Sequence, residues 1–141
     1  MDLASIRIIT DDLDRLVNFY EHVTGVTAER PAPVFAELVL PSATLAIGDS
    51  QTVGLFGAGS ARAADNHTVI IEFRVDDVDA EYQRLMPLVD DWVQEPTTMP
   101  WGNRSILFRD PDDNLVNLYT PVGEEAIERF KGRGLSTTPA S

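Results

Sequence analysis

Ser5–Tyr20 reads SIRIITDDLDRLVNFY, and Ile70–Leu85 reads IIEFRVDDVDAEYQRL. Both stretches follow one design: five or six strand-prone residues, an Asp-Asp-(Leu or Val)-Asp step, then apolar residues at helical spacing. The shared centre is Asp11-Asp12-Leu13-Asp14 against Asp76-Asp77-Val78-Asp79. In the first copy Ile6, Ile8 and Thr10 alternate with Ser5, Arg7 and Ile9, and the second set carries one charge, so both strand faces are expected to be covered. From Asp12 the period lengthens. Leu13, Leu16, Val17, Tyr20 and Val23 share a helical face, Asp11 or Asp12 supplies an N-cap oxygen, and Gly25 offers a left-handed stop. In the second copy Val78, Tyr82, Leu85, Met86 and Val89 do the same, with Pro87 ending or bending the helix near Met86.

Three β-prone runs follow each repeat. After the first they are Val34–Leu40, Ala43–Ile47 and Thr52–Phe56, punctuated by Pro41 and Gly48-Asp49-Ser50. After the second they are Val93–Glu95, Ser105–Phe108 and Leu115–Tyr119, the last two joined by the turn formers Asp110 to Asn114. The pattern predicts an α+β fold of two βαβββ modules, about 4–57 and 67–121, in one domain spanning 1–141. Residues 57–66, GAGSARAADN, have no period and read as the linker; a short C-terminal helix and tail occupy 122–141. That helix, Glu124–Lys131, is expected to turn Ile127 and Phe130 inward and stop at Gly132, with Ser136–Ser141 frayed. Two such modules should pack into a curved half-barrel sheet with helices outside and a concave cup inside, where a ligand belongs.

Composition narrows the function. With 141 residues, 43% of them hydrophobic, the chain can bury a substantial core. Eleven Lys and Arg against 23 Asp and Glu, a net charge of −12, argue against a nucleic-acid partner and favour a cationic one. The absence of Cys excludes disulfides, thiolate metal sites and cysteine catalysis. Met1 to Ser5 lacks the basic start of a signal peptide, and no apolar run approaches the roughly 18 residues of a membrane helix, so no membrane partner is expected and a cytoplasmic location is.

Asp12-Leu13, Phe19-Tyr20 and Gly25, the restart of that pattern at Asp77, and Arg109-Asp110-Pro111-Asp112 with Asn114 before a last strand together resemble the vicinal oxygen chelate superfamily. That superfamily contains glyoxalase I, extradiol dioxygenases and bleomycin-resistance proteins, and the resemblance spans about residues 4–121. It implies metal ligands on the first strand of each module, seven residues before the Asp of the Asp-Leu step, and on the last strands. Those positions hold Ser5, Ile70 and Asn117 here, with Gly54 or Leu55 as the first module's counterpart of Asn117. A divalent ion wants imidazole or carboxylate, so no metal and no other cofactor is expected. His22 falls within the first helix, and His67 precedes Ile70 by three residues, where it reads as a solvated histidine.

The same parity turns Arg7, Glu72, Arg74, Asn117 and Tyr119 towards the cup, where Arg7 and Glu72, equivalent in the repeat, are candidates to pair with each other. Trp101 on a feeding loop could stack on a planar ligand, and Arg104 could clamp an anionic group or pair with a surface acid. Two functions fit: a metal-independent protein, expected to be a homodimer, that sequesters a cationic or planar antibiotic-like small molecule; or a metal-independent lyase or isomerase acting on a small carbonyl compound. In the second, Glu72 is the catalytic base while Arg74 and Asn117 steady an oxyanion.

Overall fold

In a computed structural model that describes residues 1–131 and 133, the chain forms two βαβββ modules. The first contains β1 (Ser5–Thr10), α1 (Leu13–Thr24), β2 (Glu29–Ala32), β3 (Phe35–Val39) and β4 (Thr44–Asp49). The second contains β5 (Ile70–Arg74), α2 (Val78–Leu85), β6 (Trp92–Thr98), β7 (Asn103–Arg109) and β8 (Leu115–Pro121), and α3 (Glu124–Phe130) follows. The strand orders, β1-β4-β3-β2 and β5-β8-β7-β6, are the same pattern twice, with a parallel pair at one side of each open sheet.

Both repeat helices start as the sequence implies. The side chain of Asp12 accepts a hydrogen bond from the Arg15 amide, and that of Asp77 from the Ala80 amide. Gly25 closes α1 at φ +72°, its amide donating to Glu21 O, and α2 ends at Leu85, ahead of Pro87.

One expected strand is absent. Thr52–Phe56 lies in a 3-10 turn, Ser50–Leu55, and its terminus, because the Asp49 carboxylate caps the Gln51 amide and the Thr52 hydroxyl donates to Asp49 O. These local bonds outweigh the β preference of the Thr-Val pair. The last strand of the first module is therefore β4, and the counterpart of Asn117 is Ala46, not Gly54 or Leu55: Arg7 pairs with Ala46 just as Glu72 pairs with Asn117.

A single core joins the modules. Leu16, Val17 and Tyr20 of α1, fully buried, pack with Leu38 and Ile47 of the first sheet and with Phe108, Val116 and Leu118 of the second. The Phe19 ring lies 6.1 Å from that of Phe108, and the Tyr20 ring 6.4 Å from that of Phe73. Polar contacts reinforce the seam. Tyr20 Oη donates to Asp110 Oδ2 at 2.6 Å, Arg15 donates to Pro111 O, and Arg84 of α2 donates to the carbonyls of His22 and Val23. As expected, α1 and α2 pack on the outer side of the open sheets, where the shared core lies, and the helix-free faces stay open except where α3 lies against β8.

α3 begins where expected but turns differently. Ala126 is its buried residue, Ile127 stays 44% exposed, and Phe130 lies against Tyr119 with ring centroids 5.5 Å apart. The expected stop at Gly132 and the tail Ser136–Ser141 fall outside the described residues.

Candidate functional site

The helix-free face of the second sheet holds the richest set of polar side chains. Strand register places Glu72, Asn117, Leu107 and Gln94 in one row across β5, β8, β7 and β6. Arg74, Tyr119, Ser105 and Thr97 form the next row. The alternation that buries Val116 and Leu118 against the helices is what turns Asn117 and Tyr119 to this side.

Asn117 Nδ2 donates to Glu72 Oε2 at 2.7 Å, so the amide and the carboxylate form a pair. Asn117 Oδ1 is buried without a donor, and so is Gln94 Oε1 on the far side of Leu107, while Gln94 Nε2 contacts Met99 Sδ at 3.7 Å. Buried acceptors left unpaired are costly, on the order of 1–3 kcal/mol each. Burial raises the Tyr119 phenol above its ordinary value, and the nearby Glu72 charge adds to this against the opposing pull of Arg74, Arg129 and Arg133. α3 covers the Tyr119 end of the face; Glu72 remains exposed at the other.

The expected site residues divide. Glu72, Arg74, Asn117 and Tyr119 come together on this face. Arg7 does not pair with Glu72, because the two belong to separate sheets; its guanidinium lies over the rings of Phe35 and Phe56 instead. Arg104 points to α2, where Nε and Nη2 grip the two carboxylate oxygens of Asp79 at 2.7 and 2.9 Å, which leaves it no fork for a ligand. Trp101 occupies the β6–β7 turn, 56% exposed. Gln94 was not anticipated: register shifts on both sides of it break the alternation that would have announced its direction.

At the positions where the resemblance implies metal ligands, the chain offers the hydroxyl of Ser5, the alkyl chain of Ile70 and the amide of Asn117, with Ser5 on one sheet and Ile70 on the other. Among the described residues no three His, Cys, Asp or Glu side chains converge. That donor set does not suit a divalent ion.

A separate cleft of about 250 Å³ lies between β1 and β5 under residues 61–66, floored by Ile6, Ile8 and Ile71. Among its polar groups Arg62 pairs with Asp65 at 2.8 Å and Asn66 donates to Asn114 Oδ1 and Val69 O, while Arg7 borders it from β1. It lacks the unsatisfied acceptors of the sheet face.

Fold and motif together define a duplicated βαβββ protein, and residues 2–118 match the Glyoxalase/Bleomycin resistance protein/Dioxygenase superfamily. The chain belongs to that superfamily. It is 26% identical over 131 residues to the uncharacterized protein YraH of Bacillus subtilis, covering 84% of this chain and 98% of that one. A crystal structure of a glyoxalase/bleomycin resistance protein/dioxygenase from Nocardioides superimposes with a TM-score of 0.73 at 23% identity, over 88% of this chain and 85% of the other. A family enzyme from Burkholderia phytofirmans PsJN gives 0.74 at 18% identity, over 86% of this chain and all of the other. At these identities the likeness shows the fold alone.

Proposed function

We propose that this chain is a metal-independent small-molecule-binding protein that holds a cationic, planar ligand on the helix-free face of its second sheet without altering it. The row of acceptors carries this reading: the Glu72 carboxylate, Asn117 Oδ1 and Gln94 Oε1, the last two buried without donors. A ligand bearing ammonium, amidinium or amide N–H groups pairs with the exposed Glu72 carboxylate of that row, and the net charge of −12 draws such a cation in. Tyr119 and Phe130 offer aromatic surface for the planar part, with Trp101 a stacking residue at the turn. A cytoplasmic homodimer is the form proposed.

Ethidium and spermidine, a planar and a non-planar cation, test this by tryptophan fluorescence and calorimetry. Saturable binding of ethidium is expected, weakened about tenfold in Glu72→Gln or Asn117→Leu, the loss of about one charge-assisted hydrogen bond. Trp101→Ala should weaken ethidium more than spermidine. Unchanged affinity in both cup variants removes the reading. Recovery of a chemically altered small carbonyl compound after incubation, abolished by Glu72→Gln, would establish the lyase or isomerase reading in its place.

A further inference from the structure

The helix-free face of the first sheet carries a cradle that the acceptor row does not use. Arg7 extends from β1 so that its guanidinium carbon lies 4.8 Å over the Phe35 ring and 5.1 Å over the Phe56 ring. Phe35 comes from β3, and Phe56 follows the 3-10 turn. Small residues floor the space: Ala46 is Arg7's register partner on β4, and at Gly48 an added Cβ would stand 3.7 Å from Arg7 Cδ and 3.3 Å from Thr52 Oγ1. Among the described residues Arg7 has no salt bridge.

Rings packed on a guanidinium cover its faces and leave its in-plane N–H edge, the direction from which a carboxylate or phosphate is gripped by two parallel bonds. They also fix a long side chain in advance, so less rotamer freedom is lost when an anion binds. Two acids share this face, Glu37 and its register partner Glu29. Glu37 is in register with Ala46 from the opposite flank of β4, so two strand spacings, roughly 10 Å, hold it off from Arg7's strand, and Glu29 on β2 lies one strand further. Asp65, in the cleft that Arg7 borders, is already paired with Arg62. The surplus acidic charge elsewhere on the surface is screened beyond about 8–10 Å at physiological salt, whereas the contact at the fork is local.

We propose that Arg7, Phe35 and Phe56 form an oxyanion subsite that takes the carboxylate or phosphate of a small molecule, the fork binding the oxygens and the rings packing on the neighbouring apolar part. It is distinct from the acceptor row in place and in charge preference.

Benzoate, acetate and inorganic phosphate, titrated separately into the full-length protein while the Arg7 Nε–H resonance is followed, test this. Saturable displacement by benzoate, with acetate weaker for want of a ring, assigns a carboxylate; a stronger response to phosphate assigns a phosphate, and either supports the subsite. Arg7→Lys keeps the charge but loses the fork and should weaken binding about tenfold. Phe56→Ala should weaken benzoate more than acetate. No saturable movement of the Arg7 resonance with any of the three anions overturns the proposal, and so does an affinity unchanged in Arg7→Lys. Glu72→Gln serves as the control: it weakens cation binding by the acceptor row and should leave anion binding at this face unchanged.

Discussion

At the scale of single residues, Asp110 is the most heavily committed carboxylate among the described residues. It accepts from Tyr20 Oη, Asn114 Nδ2 and the amides of Asp112 and Asn114. Burial pushes its carboxyl above the usual value, and the four donors pull the other way. Burial, followed by the charge of Asp110, holds the Tyr20 phenol well above its ordinary 10.0. A phenol with a raised folded pKa adds stability that is complete below the unfolded value and is lost as pH climbs past it, because the unfolded chain then releases a proton the folded chain retains. Tyr20→Phe should therefore cost about 1–3 kcal/mol in urea unfolding near pH 8, since it leaves a buried carboxylate one donor short. The gap to the parent should narrow above about pH 10, where unfolding of the parent gains from ionising Tyr20. A gap that stays constant from pH 8 to pH 11 would show that the phenolic proton is not held in this way.

Residues were legible in the sequence as far as alternation reached. Asn117 announced itself as a polar side chain in a strand that needed a partner, and Glu72 is that partner. The Arg7–Glu72 pair expected from their equivalence in the repeat does not form, because the repeat fixes each residue within its own sheet and says nothing of the distance between sheets. Arg104 was read as either a clamp or half of a surface ion pair, and Asp79 makes it the latter.

At the scale of elements, the repeated Asp-Leu and Asp-Val steps located both helices, since the cap and the apolar spacing are local signals. β6 proved longer than its expected core, running from Trp92 to Thr98 through Pro96, which an edge strand tolerates. The 3-10 turn was missed because side-chain to backbone bonds from Asp49 and Thr52 compete with strand formation, and residue propensities do not count them.

α3 depends on a close approach of the same local kind. Gly102 adopts φ +91°, and a Cβ there would stand 3.0 Å from Ala126 Cβ and 3.5 Å from Gly123 Cα. Gly102→Ala should therefore both strain the β6–β7 turn and push α3 off the sheet, at about 1–3 kcal/mol. Urea unfolding reads the energy, and easier proteolysis after Arg129 reads the displaced helix. Unchanged stability with unchanged cleavage would mean that α3 is not seated on this turn.

At the scale of the molecule, the opposite faces share one core while the helix-free faces stay open apart from the end of the second that α3 covers. Apolar side chains remain bare on or beside them: Val39 at 48% exposed, Ile70 at 47%, and Leu55 and Phe56, which end the 3-10 turn, at 85% and 67%. Bare apolar side chains of this kind suit association, in keeping with the homodimer proposed above. Sedimentation equilibrium at micromolar concentration should return twice the chain mass of 15.5 kDa, and Leu55→Glu with Val39→Glu should shift it to the monomer. A monomer in the unmodified protein ends that reading.

The bond from Tyr20 to Asp110 spans ninety positions of sequence and crosses the boundary between the two copies of the repeat. Identical halves would each have carried the same helix, yet Tyr20 has found its carboxylate in the opposite copy and the second helix offers Arg84 to the first in return. The copies have thereby become complementary rather than interchangeable. A change at Asp110 takes away the partner of Tyr20 in α1, so a substitution in one copy is felt in the other.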